Sequence, residues 1–216
     1  MNFNSEKILT GISLLGTDEG ELTSENNLVP DVIEINPQEE YTSLLSNWLT
    51  HSGPKITIAA GFWYFMGEEE SEKHERFNLL QEYCQTASAL ACVIKLPPSH
   101  LLNTETSSQV LRFQEKWKSK ASCPLYFEPG REGPPTWADP TFCVSDPLWN
   151  PSHIQSDYWK IHGWHPERWV RLYPKSELIL LARQAERLQP KFLILGHSQR
   201  RTQFTILKSA FKRGSK

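Results

Sequence analysis

Apolar residues fall into eight short runs along the chain, each closed by polar or turn-forming residues and most followed by a stretch with helical spacing. The runs are ILTGISLL (8–15), DVIEIN (31–36), KITIAAGF (55–62), LACVIKL (90–96), CPLYFE (123–128), TFCVSD (141–146), YWKIHG (158–163) and KFLILGH (191–197). Several are apolar on successive positions, the pattern of strands buried on both faces of a parallel sheet. Between them, residues three or four apart share helical faces: Tyr41, Leu44, Leu45 and Trp48; Phe77, Leu80 and Cys84; Val110, Phe113 and Trp117; Leu178, Leu181, Ala185 and Leu188; Phe204, Leu207 and Phe211. Two connections, PGREGPPTWADP and PLWNPSHIQSD, are too rich in proline and glycine for a helix and read as loops or single turns.

Eight strands alternating with helices predict an α/β fold, a compact (β/α)8 TIM-type barrel with some helices degenerate or replaced by loops. The 216 residues then form a single domain near the lower end of that fold's size range. An open doubly wound sheet is the second architecture the pattern allows. There is no GxGxxG and no P-loop, so neither a dinucleotide nor a nucleoside triphosphate is indicated, and no cofactor is assigned.

With 38% hydrophobic and 22% charged residues the chain has the makeup of a soluble globular protein rather than a disordered one. Its first residues, MNFNSEKILTGISLLG, hold one lysine and a short interrupted apolar run, which predicts neither a signal peptide nor a membrane span. A cytoplasmic location follows as an expectation. Cys84, Cys92, Cys123 and Cys143 are widely and irregularly spaced, so buried free thiols are expected rather than disulfides or a zinc site. The net charge of −2 hides an asymmetry: residues 8–54 carry eight acidic side chains and no Lys or Arg, whereas 187–216 carry eight basic ones and no acid. A basic segment raises nucleic-acid binding as a possibility. Barrel closure, however, would set first and last elements side by side and let the two segments partly neutralise each other.

Five short motifs, in order, give the chain a resemblance to a known family. VIEIN resembles the VEIN strand of the YecE-like domain-of-unknown-function family; IKLPPS is similar to its QLPPS, and YFEPGR to its EFR or EPR. SDP followed by YWKIHG, and then YPKSEL, are similar to its DP strand, RLHG and YSxxEL. The resemblance implies a TIM-type barrel spanning residues 8 to about 210 and carries no settled reaction. The chain departs from the family in lacking the aromatic cluster after its first strand and in having Gly196, His197 and Ser198 where the family has FNN.

Catalytic groups of a TIM barrel come from the carboxyl ends of strands and the loops after them. Those positions hold Glu34, Asn36, Lys95, Glu128, Arg131, Asp146, His162, His165 and His197. His162 ends the seventh run within the family-like motif and is the expected proton-transfer group, with Glu128 or Glu34 orienting it or acting as base. Arg131 and Lys95 would hold negative charge, with Asn36 and Trp164 as further ligand contacts and Trp63 and Trp137 as walls. Each position also has a scaffold reading: Glu34 as a partner of Lys95 or Arg131, Glu128 paired with Arg131 to order the proline-rich loop, Asp146 as a turn residue, and His165 and Trp164 as loop packing. The spacing supports no metal site, and no GxSxG elbow anchors a serine triad. The expectation is a small polar or anionic ligand at the barrel mouth and hydrolase or lyase chemistry. The competing expectation is a non-catalytic binding or scaffold protein, contacting nucleic acid through its basic end.

Overall fold

The structure, a computed structural model, describes residues 7–14, 30–37, 54–66, 69–97, 103–129, 143–148, 156–163, 172–196 and 200–214. All eight apolar runs contain strands: β1 (Leu9–Leu14), β2 (Val32–Ile35), β3 (Lys55–Ala60), β4 (Cys92–Lys95), β5 (Leu125–Glu128), β6 (Val144–Ser145), β7 (Tyr158–Ile161) and β8 (Phe192–Leu195). The helices among the described residues are α1 (Glu70–Thr86), α2 (Thr104–Lys120), α3 (Lys175–Leu188) and α4 (Arg200–Gly214), and a single 3-10 turn covers Phe62–Tyr64. The helix expected around Tyr41 to Trp48 and most of both proline-rich connections lie outside the described residues. No described helix is long and apolar enough to cross a membrane.

The chain forms two compact units, Met1–Ile33 with Ala138–Lys216, and Glu34–Trp137, so the division falls inside β2. In the first unit β1 pairs with β8, β8 with β7 and β7 with β6, all parallel. The first strand of the chain therefore lies against the last, as barrel closure requires. In the second unit β3, β4 and β5 pair in order, again parallel. The double-sided burial expected of such strands is seen in β8, where all four residues are fully buried, and in β7, where Lys160 lies among Tyr158, Trp159 and Ile161.

Register and side-chain contacts identify the faces. Thr10 Oγ1 donates to Asp31 Oδ2 at 2.7 Å, and Lys208 of α4 binds the same oxygen at 2.5 Å. Thr10 and its register partners Leu193 and Trp159 thus face the helix. Tyr158, Lys160, His162, Ile194 and Gly196 take the opposite face by alternation. In the second unit Cys92 hydrogen-bonds to Cys84 of α1, so Cys92, Ile94, Leu125 and Phe127 are on the helix side. Val93, Lys95, Tyr126 and Glu128 are then on the other.

Local sequence sets the helix ends. Asn103 caps α2, its Oδ1 accepting from Thr106 N at 2.8 Å, and Lys118 and Lys120 oppose the negative end of the helix dipole. The α3 helix stops at Gln189, whose left-handed φ of 53° lets its N–H return to Ala185 O. Among the described residues the faces read from spacing are buried, with two differences: Phe211 of α4 is half-buried, and Leu188 is 41% exposed. It closes the last turn of α3, beyond the packed stripe of Leu178, Leu181 and Ala185. In the second unit Phe65, Phe77, Phe113 and Trp117 form an aromatic cluster with centroids 5.2 to 6.0 Å apart. The Trp117 indole N–H is satisfied by Cys123 O at 2.8 Å.

Candidate functional site

At the carboxyl ends of β6 and β7, one buried carboxylate fixes the backbone. Asp146 follows β6 in the left-handed region, φ 48°, and its N–H donates to Lys160 O at 2.9 Å, continuing the ladder for one more bond. Its Oδ1 accepts from His162 N at 3.0 Å, Gly163 N at 2.9 Å and the Tyr173 hydroxyl at 3.0 Å. Gly163 has φ 76°, so a side chain there would be strained, and that turn aims two successive N–H groups at one oxygen. Tyr173 is held in turn by Gln203 of α4, which accepts from Tyr173 N at 3.2 Å and donates to Tyr173 O at 2.6 Å. Burial pushes the Tyr173 hydroxyl far above its usual range, reinforced by the Asp146 charge and their hydrogen bond, so it remains a neutral donor.

This frame holds His162, which is 9% exposed. A Cβ on Gly196, just past β8, would meet His162 Nδ1 at 3.3 Å and Lys160 Cε at 3.6 Å. An imidazole and a buried lysine therefore stand together beside Gly196, on the sheet face turned from α4. An imidazole at a strand end can give or take a proton. Neither Lys160 nor the Tyr173 and Gln203 braces were expected from sequence. Lys160 sits in an apolar run and reads as strand filler; the Tyr-Pro pair ahead of α3 was the available signal for Tyr173.

In the second unit Glu34 is fully buried, on the Val32 side of β2 by alternation, and Glu128 is 3% exposed. Lys95 is exposed and is the register partner of Glu128, with Leu96 N donating to Glu128 O at 2.8 Å. Asn36, just beyond β2, is half-buried. The structure thus places Lys95 beside Glu128 at adjacent strand ends, and His162 with Lys160 at another pair. Arg131, Trp137, Trp164, His165 and His197 lie outside the described residues. Asp146 is a turn residue, as its scaffold reading had it, but one that orients the backbone of His162.

Among the described residues no group of three His, Cys, Asp or Glu is placed to hold a metal ion. All four cysteines are free and buried, as expected. The Cys123 thiol is pushed up strongly by its hydrogen bond to Cys84 and by burial; at Cys84 the bond to Cys123 acts downward but is outweighed by the bond to Cys92 and by burial. Neither is a ready nucleophile. Compared with known protein families and with characterised proteins, the chain matches none.

Proposed function

We propose that the chain is a compact, single-domain (β/α)8 barrel of the YecE-like type that binds a small polar or anionic ligand at its carboxyl-terminal strand ends and acts on it as a hydrolase or lyase. The parallel pairing of β1 with β8 and the sequential order of the other paired strands support the barrel. The five ordered motifs support the family. The observation that carries the functional reading is His162: a buried imidazole at a strand end, beside Lys160 and Gly196, on backbone clamped by Asp146.

In this reading His162 transfers the proton, with Glu128 or Glu34 orienting it or acting as base. Arg131 and Lys95 hold the ligand's negative charge, and Asn36 and Trp164 complete its contacts. The test is His162→Ala and Arg131→Ala, screened against panels of esters, phosphoesters and hydroxy acids. Each variant should lose turnover or binding with the melting temperature nearly unchanged. A large loss of stability without loss of a measured activity would make both residues scaffold, because breaking one partner of a buried ion pair costs about 3–5 kcal/mol.

A non-catalytic reading draws on a separate observation: Glu34 and Glu128 are almost wholly shielded from solvent, as structural carboxylates are. Nucleic-acid contact through the basic end is the weaker form of it, since Lys208 is engaged by Asp31.

A further inference from the structure

Gly61 follows β3 with φ −79°, a backbone that any residue adopts, so its glycine has another cause. A Cβ at this position would lie 1.9 Å from Cζ3 of Trp63, 2.1 Å from Cη2 and 2.3 Å from Cε3. The six-membered ring of the indole occupies the space of the missing side chain. The Trp63 backbone is pinned as well: Arg76 of α1 donates through Nη1 to Trp63 O at 3.0 Å and to Met66 O at 2.8 Å. Even so, Trp63 is 55% exposed. The indole thus lies over Gly61 with Phe62 and Tyr64 at 6.0 and 6.2 Å between centroids, its carbonyl fixed and much of its surface left to water.

Register shows what stands next to it. Ala60 pairs with Ile94, so Gly61 is level with Lys95, and Lys95 pairs with Glu128. Neighbouring strands are roughly 4.8 Å apart. Gly61 with the Trp63 ring over it, exposed Lys95 and buried Glu128 therefore stand at one level across the carboxyl ends of β3, β4 and β5.

We propose that this row is a subsite for a small ring-bearing phosphate, its ring stacked on Trp63 and its phosphate held by Lys95. The proposal rests on the reading of an anionic ligand above and gives that ligand a class. Sugar phosphates and nucleoside monophosphates share this chemistry, since an indole stacks on the C–H face of a sugar as well as on a base.

The experiment is isothermal titration of the full chain with glucose 6-phosphate, adenosine monophosphate, glucose, adenosine and inorganic phosphate. It is repeated for Trp63→Ala, Gly61→Ala and Lys95→Gln, with thermal melts as the folding control. One ring phosphate should bind about tenfold or more tightly than inorganic phosphate, and Trp63→Ala should remove that advantage. Gly61→Ala, which retains Trp63 and Lys95 but displaces the indole, should weaken the ring phosphate and spare inorganic phosphate. Lys95→Gln should weaken both. Which compound binds identifies the source as sugar or nucleotide. Affinities within twofold of the parent in Trp63→Ala and Gly61→Ala, or no binding of any phosphate, would overturn the subsite. His162 and Arg131 test the functional reading separately, so loss of turnover in His162→Ala with ring binding insensitive to Trp63 would retain that reading and discard this one.

Discussion

The Tyr173 hydroxyl donates to Asp146 Oδ1 at 3.0 Å across 27 positions of sequence, and the same oxygen takes the amides of His162 and Gly163. Tyr173→Phe removes one of three donors, and equilibrium denaturation should show a loss of about 1.5–3 kcal/mol, the range for a hydrogen bond to a charged group. Asp146→Ala strips all three partners and puts alanine at a positive φ, so its loss should be clearly larger. Asp146→Asn retains an acceptor and tolerates φ 48°, and should fall between the two. Equal losses in Asp146→Asn and Asp146→Ala would mean that the carboxylate charge, not the acceptor geometry, braces the turn.

Alkaline stability should decline for an identifiable reason. Burial raises the Tyr64 hydroxyl to about 12 and Tyr173 higher still, against an ordinary value of 10.0. The folded state therefore holds these protons while the unfolded chain releases them. Their contribution is fully present below pH 10.0 and falls as pH rises above it towards the folded values. Urea titrations across that interval should show a negative slope of stability with pH, flattened in Tyr173→Phe.

Asp31 has the opposite dependence. Burial acts to raise its carboxyl, but hydrogen bonds from Lys208, Lys7 and Thr10 outweigh it and hold the group far below its ordinary 3.8. Its contribution is present above 3.8 and is lost as pH falls towards the folded value. Asp31→Asn should cost on the order of 2 kcal/mol near neutrality, with the gap to the parent protein narrowing under acid. A constant gap on acidification would assign the effect to packing.

Cys84, Cys92 and Cys123 are 2%, 0% and 7% exposed as residues, and the thiols of Cys84 and Cys123 have their ionisation suppressed. Labelling by an aromatic disulfide reagent should be slow in native buffer and rapid in denaturant. Fast native labelling at Cys84 would show that the α1 end opens readily.

Asp31 also bears on the basic carboxyl-terminal segment. Lys208 Nζ lies 2.5 Å from Asp31 Oδ2, so a charge from the basic stretch meets one from the acidic stretch, as neutralisation by neighbouring elements predicts. Binding of random duplex DNA in a gel shift should be weak and abolished by moderate salt. Tight, salt-resistant binding would favour the nucleic-acid reading.

Strand positions were legible because each apolar run is short, nearly continuous and bounded by turn residues, a local signature that double-sided burial produces. The polar frame was not. Asp146 looks like any aspartate before a proline, since its partners at 162, 163 and 173 are set by strand pairing rather than by spacing. Lys160 is hidden for the same reason: its meaning depends on Gly196, one strand over. Trp63 reads from sequence as a wall, but the seating of its ring over Gly61 depends on the turn after β3 and has no signature in the spacing. Leu188 was misplaced because helical spacing continues to the last turn of α3 while the surface it packs on does not.

The parallel seam between β1 and β8 has a kinetic meaning. While the chain is being made, Leu9 to Ile12 have no β8 partner until Phe192 to Leu195 are synthesised, and the Asp31–Lys208 contact spans 177 positions. The segment Glu34–Trp137 is continuous and can gather its own β3, β4 and β5 long before then. Synthesis thus leaves an early apolar strand waiting with an open hydrogen-bonding edge, the exposure most prone to mispairing with another copy. Yield of native protein should accordingly be governed by how fast the ribosome delivers the last quarter of the chain, and by chaperones that shield β1 in the interval.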